Sequence, residues 1–420
     1  MALREGGNWL HWKIWARILI DKAKNYMNKR LITSYRGGIL TAVWENGRVI
    51  QFEWEQPASE SKIGNIYVGI VKKIVPSINA AFVEVESGLN GYYSLEENTH
   101  HLFLTPGNHD RVKEGDLLLV QVERDPVKTK LMVLTARINL TGRYTALTCG
   151  HPGLAFSSKI KGVGTQAFKD HIRETLNDFP VDEYGLIVRT NAAGVEPERI
   201  ATEANALLAQ MEKLLREAAC RTSGSLMMKA VPAWIQGVRD AKDDELEEVV
   251  CEEKAQYEEL IAFVREVCPD LERRIRLYED DYSLMKLYRL ESALEEALSE
   301  RVWLKSGGFL VIQPTEALTV IDVNSGKSVG KKTSEETFFH LNLEAAKEIA
   351  HQIRLRNLSG IIIVDFIDMD EEEHKLSLMA ELKRLLETDP VKTNVIDMTP
   401  LGLVEITRKR VRRPLAEQFK

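Results

Sequence analysis

The sequence predicts a multidomain protein that combines α/β and α+β architecture. Two apolar, β-branched runs, residues 317–325 and 361–369, each lead to a carboxylate and flank a helical pattern, which is typical of a strand–helix–strand crossover. Closely spaced strand patterns punctuated by glycine fill residues 62–140 and indicate a small barrel such as an OB-fold. A chain of 420 residues has room for about two to four domains.

Composition narrows the class of protein. The net charge is −7, so any nucleic-acid binding must rest on local patches, and the basic run at residues 408–413 is most simply a solvated tail. The cysteines, Cys149, Cys220, Cys251 and Cys268, show no C-x-x-C spacing, which argues against a local zinc site and suits a reducing cytosol. No run reaches the ~18 apolar residues of a membrane span, so we expect a cytoplasmic protein without a transmembrane segment.

Residues 1–27 form an N-terminal extension whose composition differs from that of the rest of the chain. Trp9, Trp12 and Trp15 share a helical face near basic side chains, which suits a helix on a membrane surface. The alternative is a non-native or upstream extension, because Met27 directly precedes a clear strand pattern. We favour that alternative, since targeting-like segments are easily over-interpreted.

The folded part begins with a hairpin and a barrel. Residues 39–54 alternate between apolar and polar around Asn46-Gly47, which is a strong turn signal. Further strands are expected at Ile66–Val75, Ala80–Val85, Leu117–Val122 and Leu131–Ile138.

Aromatic and basic side chains in the barrel region could bind single-stranded nucleic acid. Phe82, Tyr92 and Tyr93 offer rings for base stacking, and Lys72, Lys73 and Lys130 offer charge for phosphates. The alternative is that these aromatic residues form the core of the barrel.

The middle of the chain mixes a short strand with helices. The strand at residues 185–190 ends in Arg189 and Thr190, whose forked guanidinium and hydroxyl suit a phosphate. We expect a helix from about 196 to 219. Residues 241–300 should be helical as well, because apolar residues recur at helical spacing among i,i+4 pairs of opposite charge.

Two acids mark the candidate site. Since parallel strands joined by a crossover end at the same sheet edge, Asp322 and Asp365 should lie close together on strands buried on both faces. Such a pair is a hard, oxygen-rich site of the kind that Mg²⁺ accepts, and Asn324 would face the same way as Asp322. The helix between the strands should start at a capping box formed by Thr333 and Glu336. The alternative is that both acids merely cap helices or form ion pairs.

Six motifs in one order resemble the ribonuclease E/G family over about residues 28–413. They are Ile66-Tyr67 followed by Ile74-Val-Pro-Ser-Ile-Asn-Ala-Ala-Phe-Val83, then Gly185-Leu-Ile-Val-Arg-Thr190, Thr315-Glu-Ala-Leu-Thr-Val-Ile-Asp-Val-Asn-Ser325, Asn342-Leu-Glu-Ala-Ala346, residues 360–369 and Gly402-Leu-Val-Glu-Ile-Thr-Arg408. Six collinear motifs are more specific than any one of them, so the resemblance favours the metal site over the ion-pair alternative.

The resemblance implies a discontinuous domain order. An RNase H-like subdomain would contain an inserted S1 (OB-fold) barrel, and a 5′-sensor region and a DNase I-like catalytic subdomain would come after it. The implied segments are 28–61 for the first part of the RNase H-like subdomain, 62–140 for the S1 RNA-binding domain, 141–229 for the sensor, 230–298 for the second RNase H-like part and 299–420 for the catalytic subdomain.

The resemblance also implies an activity. It is that of an endoribonuclease that uses Mg²⁺, or Mn²⁺ in its place, to cleave single-stranded RNA to 3′-hydroxyl and 5′-phosphate ends. The substrates would be those of rRNA and tRNA processing and of mRNA decay, with a preference for a 5′-monophosphate, and the enzyme would be a homo-oligomer, either a dimer or a tetramer.

Site residues carry over from the family position by position. Asp322 and Asp365 would bind the metal and Asn324 would assist catalysis. The 5′-phosphate would be held by Arg189, Thr190, Gly142 and Lys392. The RNA near the scissile bond would be contacted by Phe82, Tyr92 and Lys130.

Two departures from the family pattern shape the expectation. The sequence does not contain the C-P-x-C-x-G zinc-link of the family, so it does not support a structural zinc: either the protein is truncated before the link, or it assembles without that zinc. Ser158-Lys159 stands where the family has two arginines, and lysine is a point charge rather than a fork, so we expect a modest 5′-monophosphate preference. The alternative function is a non-catalytic S1-type RNA-binding scaffold, which would have no need for both acids.

Overall fold

The computed structural model describes residues 28–56, 61–105, 107, 111–126, 131–161, 164–243, 246–326 and 335–419, so the predicted N-terminal extension lies outside the described residues. The chain divides into two compact units. The first comprises the described residues of Met1–Pro57, Glu245–Glu258 and Arg274–Lys420, and the second those of Ala58–Asp244 and Glu259–Arg273.

Strands of the described segments succeed one another in this order. They are β1 (Lys29–Tyr35), β2 (Gly38–Glu45), β3 (Arg48–Glu55), β4 (Ile66–Val75), β5 (Ala80–Glu86), β6 (Leu89–Ser94), β7 (Leu117–Arg124), β8 (Met132–Thr135), β9 (Asn139–Thr141), β10 (Thr145–Cys149), β11 (Gly153–Phe156), β12 (Tyr184–Val188), β13 (Leu226–Met228), β14 (Glu248–Cys251), β15 (Ile275–Leu277), β16 (Arg301–Trp303), β17 (Phe309–Pro314), β18 (Leu318–Asn324), β19 (Gly360–Asp365), β20 (Thr393–Met398) and β21 (Leu403–Arg408).

Helices of the same segments are α1 (Thr165–Thr175), α2 (Pro197–Ala218), α3 (Ala233–Asp240), α4 (Lys254–Val267), α5 (Leu284–Leu287), α6 (Leu290–Leu298), α7 (Glu335–Leu355), α8 (Glu372–Glu387) and α9 (Leu415–Gln418). Short 3₁₀ turns occur at Pro76–Ile78, Thr190–Ala192 and Pro269–Arg274. Within these ranges, no helix combines the length and apolarity that crossing a membrane requires.

The first sheet of the first unit has the order β15-β14-β1-β2-β3. The β2–β3 hairpin is confirmed, with Asn46 (φ 50°) and Gly47 (φ 84°) in the left-handed region that such a turn needs. β1 pairs in parallel with β14, about 200 residues later in the chain. The prediction that residues 241–300 are helical throughout is therefore wrong, because β14 and β15 are short strands completed by tertiary pairing and not by local propensity.

The second sheet of this unit has the order β16-β17-β18-β19-β21-β20. α7 and α8 pack on one face, where Ile321, Ile362, Val364 and Leu382 are fully buried. The prediction of strands buried on both faces is wrong, since alternate residues are partly exposed and Ile361 is 50% exposed. α7 begins at Glu335, and Thr333 of the expected capping box lies outside the described residues.

Arg408 does not belong to a solvated tail. It ends β21 with its side chain buried, and its Nε donates to Asp389 Oδ2 at 2.7 Å and its Nη1 to Asn357 Oδ1 at 2.7 Å. Arg412 pairs with Glu53. The prediction of a solvated tail is wrong for Arg408 and Arg412, because both have acidic partners in other segments of the chain, whereas Lys409, Arg410 and Arg413 are exposed as expected.

The second unit contains a small closed barrel, as the sequence predicts. Its sheet order is β13-β4-β5-β6-β8-β7, and β4 also pairs with β7 to close the barrel. Tyr67, Val83, Val120 and Leu134 fill the interior. The barrel strand β8 is shorter than the expected 131–138, because a further short strand, β9, comes next and joins a different sheet.

The remaining sheet of the second unit has the order β11-β12-β10-β9 and is covered by α1 and α2. The helix expected from about 196 to 219 is confirmed as α2. Leu147, Leu186, Ile200 and Met211 are buried in their common core. The end of β12 therefore lies beside this packed core, and Arg189 is the residue that directly follows the strand.

Candidate active site

The crossover from β18 through α7 to β19 brings the two predicted carboxylates together. β18 and β19 are parallel, and Asp322 is the register partner of Asp365. Both residues alternate with core positions, so their side chains lie on the face that α7 and α8 leave uncovered. Asn324 lies two residues further along β18 and donates from Nδ2 to Asp322 Oδ2 at 2.7 Å, which orients that carboxylate.

The electrostatics of this pair suit a cation. Partial burial raises the pKa of Asp365, and the neighbouring carboxylates of Asp322 and Asp368 raise it further. Within the described ranges, neither Asp322 nor Asp365 forms an ion pair with a basic side chain. A divalent cation would relieve the repulsion between the two carboxylates, so the donor set fits Mg²⁺.

The ligand set is small. No group of three or more His, Cys, Asp or Glu side chains that could hold an ion occurs in the described part of the chain. Two carboxylates would leave most coordination positions of a bound Mg²⁺ to water and to other oxygen ligands, which is how this ion is commonly held.

Three residues around the pair were given no role in the site by the sequence analysis. Asn342 of α7 is fully buried and hydrogen-bonds the main chain of Ile367, while Glu335 accepts from the loop that precedes α8. Asp368 adds a third charge near Asp365. A polar Asn342 within the apolar stripe of a helix was the available signal, because a buried amide needs specific partners.

The predicted phosphate-binding residues of the second unit come together at the end of β12. Arg189 Nη1 donates to Gly142 O at 2.5 Å and to Asp240 Oδ1 at 2.8 Å. Thr190 Oγ1 lies 2.8 Å from Ser157 Oγ. Lys392 lies in the other unit, directly before β20.

Asp240 is the neighbour of Arg189 that sequence analysis missed. Although burial alone would favour its protonated form, hydrogen bonds from Arg239 and Arg189 lower the pKa of Asp240 below its usual value. Arg239 holds it with two contacts, Nε to Oδ1 at 2.7 Å and Nη2 to Oδ2 at 3.1 Å. A bound phosphate would therefore compete with Asp240 for the guanidinium of Arg189.

Glu203 of α2 shapes the turn that carries Gly142. Its carboxylate accepts from the main-chain N–H groups of Arg143 (2.9 Å), Tyr144 (2.8 Å) and Thr145 (2.7 Å). A Cβ added to Gly142 would clash with Glu203 Oε1. A side chain at position 142 would displace this carboxylate from its main-chain hydrogen bonds, which favours glycine there.

On the barrel, Phe82 of β5 and Tyr92 of β6 are cross-strand partners and are both partly exposed. Tyr93 is fully buried, with its hydroxyl 2.7 Å from His101 Nδ1, so the core alternative holds for that residue. Lys72 is exposed and pairs with Glu84 at 3.5 Å. The predicted RNA contact Lys130 lies outside the described residues.

The sequence of this chain is similar to one family model and to several known proteins. A family model described as the ribonuclease E/G family matches residues 139–411. Ribonuclease G of Salmonella typhimurium is 34% identical over 379 residues, which cover 88% of this chain and 77% of that protein. Ribonuclease G of Haemophilus influenzae is 34% identical over 386 residues, covering 89% and 78%. Ribonuclease E of Synechocystis is 32% identical over 400 residues, covering 94% and 58%.

Proposed function

The chain belongs to the ribonuclease E/G family, and on that basis we propose that it is a Mg²⁺-dependent endoribonuclease that cleaves single-stranded RNA to 3′-hydroxyl and 5′-phosphate ends. The observation that carries this proposal is the in-register carboxylate pair, Asp322 and Asp365, on adjacent parallel strands. The pair has no basic partner within the described ranges, which favours a cation site over a structural ion pair.

Roles for the site residues come from the placement of their side chains. Asp322 and Asp365 would hold the cation, and Asn324 would keep the Asp322 carboxylate turned toward it through the 2.7 Å hydrogen bond. When bound, Mg²⁺ lowers the pKa of water and stabilises negative charge that develops on the phosphate. Because the two carboxylates lie on a partly exposed sheet face, a flexible RNA strand has access to them.

Binding of the RNA would use the second unit. Phe82 and Tyr92 present neighbouring rings on which unpaired bases can stack, and Lys130 would add charge. Arg189, Thr190 and Gly142 would bind a 5′-monophosphate. The predicted role of Lys392, which belongs to the first unit, stays a prediction. Since Arg189 already donates a hydrogen bond to Asp240, we infer that the enzyme prefers RNA with a 5′-phosphate only modestly.

The proposal extends to architecture and setting. The sheet of β1–β3, β14 and β15 would be the RNase H-like subdomain, and the β16–β21 sheet with α7 and α8 the DNase I-like one. We place the enzyme in the cytoplasm, where it would act in RNA processing and decay as a homo-oligomer. None of the four cysteines forms a disulfide, which suits that compartment.

Cleavage of a fluorogenic A/U-rich oligonucleotide with and without Mg²⁺ tests the proposal, with product ends identified by their sensitivity to phosphatase and kinase. We expect Mg²⁺-dependent cleavage that leaves a 5′-phosphate on the downstream product. Binding without cleavage at any Mg²⁺ or Mn²⁺ concentration would instead support the RNA-binding scaffold.

A further inference from the structure

α7 carries a fully buried amide at a position where its helical neighbours on the same face are apolar. Asn342 is 0% exposed, and Leu341 and Ala345 beside it belong to the core beneath the sheet. Its Nδ2 donates to Ile367 O at 2.7 Å, and its Oδ1 accepts from Ile367 N at 3.1 Å. One side chain thus satisfies both main-chain groups of one loop residue.

The position of Ile367 gives this contact its significance. It lies two residues after Asp365 and directly before Asp368, so its main chain determines where the chain goes as it leaves β19. Asp368 Oδ1 lies 3.8 Å from the place that a Cβ on Gly402 would occupy. Leu403, the residue after Gly402, begins β21 and is the register partner of Asp365, so the Asp368 carboxylate lies near the start of that strand and close to Asp365.

A second contact from α7 holds the far end of the same loop. Glu335, in the first turn of α7, accepts from the N–H groups of Asp370 at 3.1 Å and Glu371 at 3.0 Å. The loop from Phe366 to Glu371 is therefore fixed at two points by the helix that also connects the two carboxylate-bearing strands.

We propose that Asn342 is a positioning residue for the cation site: by holding Ile367 it places the Asp368 carboxylate close to Asp365, where it would accept hydrogen bonds from water on a cation held by Asp322 and Asp365. The inference rests on the proposed function. Asp368 would act through water and not as a direct ligand, because no three-carboxylate ligand group occurs among the described residues. Mg²⁺ keeps several of its waters in proteins, so a carboxylate one water away has hydrogen-bond donors to accept from.

A purely structural role makes a different prediction. Leucine at position 342 would leave both main-chain groups of Ile367 without the amide, which lowers stability whatever the loop does. The matched control is Gln352, another buried amide of α7, which donates to Glu348 at 2.8 Å and accepts from Arg356 at 2.6 Å, away from the carboxylate pair. N342L and Q352L should both lower Tm. The positioning role and the purely structural role differ in whether N342L also weakens cation binding.

The experiment titrates Mn²⁺ into the purified full chain and monitors the loss of the EPR signal of free Mn²⁺, with Tm measured alongside. We expect N342L to weaken Mn²⁺ binding about tenfold, at the lower end of the range for residues that orient metal ligands. D368N should also weaken Mn²⁺ binding about tenfold. The N342L/D368N double variant should bind Mn²⁺ at most about twofold more weakly than N342L does, because Asn342 acts through Asp368. Q352L should bind as the wild type does.

Each outcome has one consequence. If N342L binds Mn²⁺ as tightly as Q352L while D365N abolishes binding, the proposed site stands and the positioning role of Asn342 is overturned. Independent, multiplicative losses in the N342L/D368N double variant overturn the route through Asp368. If the wild type shows no Mn²⁺ binding that depends on Asp322 and Asp365, the proposed function itself fails. Should N342L not fold, the same Mn²⁺ titration is made on N342D, which keeps the acceptor for Ile367 N–H and loses the donor to Ile367 O. Weaker Mn²⁺ binding by N342D than by Q352L supports the positioning role, and equal binding overturns it.

Discussion

Replacing Arg189 with lysine separates recognition of a 5′-phosphate from support of the fold. The guanidinium donates to Gly142 O at 2.5 Å and to Asp240 Oδ1 at 2.8 Å, both from Nη1, and its side chain is 24% exposed. Its other nitrogens offer further donors to a phosphate. A lysine ammonium is a point charge without the planar fork of a guanidinium, so the R189K variant should lose the part of phosphate binding that depends on two parallel hydrogen bonds.

The magnitude depends on the contacts that already hold the guanidinium. We expect a 5′-monophosphate preference of about tenfold in the wild type, or ~1.4 kcal/mol, and its near-complete loss in R189K. Stability should fall by about 1 kcal/mol, below the usual value for a hydrogen bond to a charged group, because the pair between Arg189 and Asp240 is partly exposed.

The assay is kcat/KM for one oligonucleotide with a 5′-phosphate or a 5′-hydroxyl, measured on the wild type, R189K and D240N. The D240N variant is the matched control, since it breaks the same ion pair but leaves the fork in place. R189K should slow only the phosphorylated substrate, whereas D240N should keep or raise the preference because a competing carboxylate is gone. Equal slowing of both substrates by R189K, or the same loss of preference in both variants, would show that Arg189 supports the fold and does not bind the 5′ end.

Three further predictions concern the second unit. Tyr92→Ala should weaken single-strand binding by ~1–3 kcal/mol in a fluorescence-anisotropy titration, whereas Tyr93→Ala should mainly lower Tm because that ring is buried; unchanged binding by a folded Tyr92→Ala protein would exclude a base stack. Gly142→Ala should cost about 1–3 kcal/mol in urea unfolding, because the new Cβ clashes with Glu203 Oε1; a neutral effect would mean that the turn moves freely. Hydrogen bonds from two arginines lower the pKa of Asp240, so its stabilising contribution is present above the unfolded-state pKa of about 3.9 and is lost as pH falls through the folded value. The Tm difference between wild type and D240N should therefore shrink below about pH 4, and a difference that is constant with pH would contradict the assignment.

The parts of this protein that sequence reasoning predicts best are those with local signals. Asn46-Gly47 gives the hairpin because a tight turn needs residues that tolerate positive φ. The alternation of apolar runs and acids gives the carboxylate pair, because the crossover rule brings Asp322 and Asp365 to one edge without any knowledge of the rest of the fold.

What the sequence does not reveal depends on distant partners. β14 and β15 lie among helical patterns and exist as strands because β14 pairs with β1 at the other end of the chain. Arg408 looks like part of a basic tail until Asp389 supplies its buried partner. Asp240 is a third example, since nothing in its local sequence connects it with Arg189.

Charge removal at the carboxylate pair tests the central claim most directly. D322N and D365N keep the shape of each side chain and remove its charge, and D397N removes an exposed charge from β20 as a matched control. In a titration of RNA cleavage rate against Mg²⁺, we predict that D322N and D365N retain the wild-type Tm and lose cleavage, while D397N cleaves as the wild type does. Near wild-type cleavage by either D322N or D365N at saturating Mg²⁺ would contradict the assignment of that residue as a required ligand.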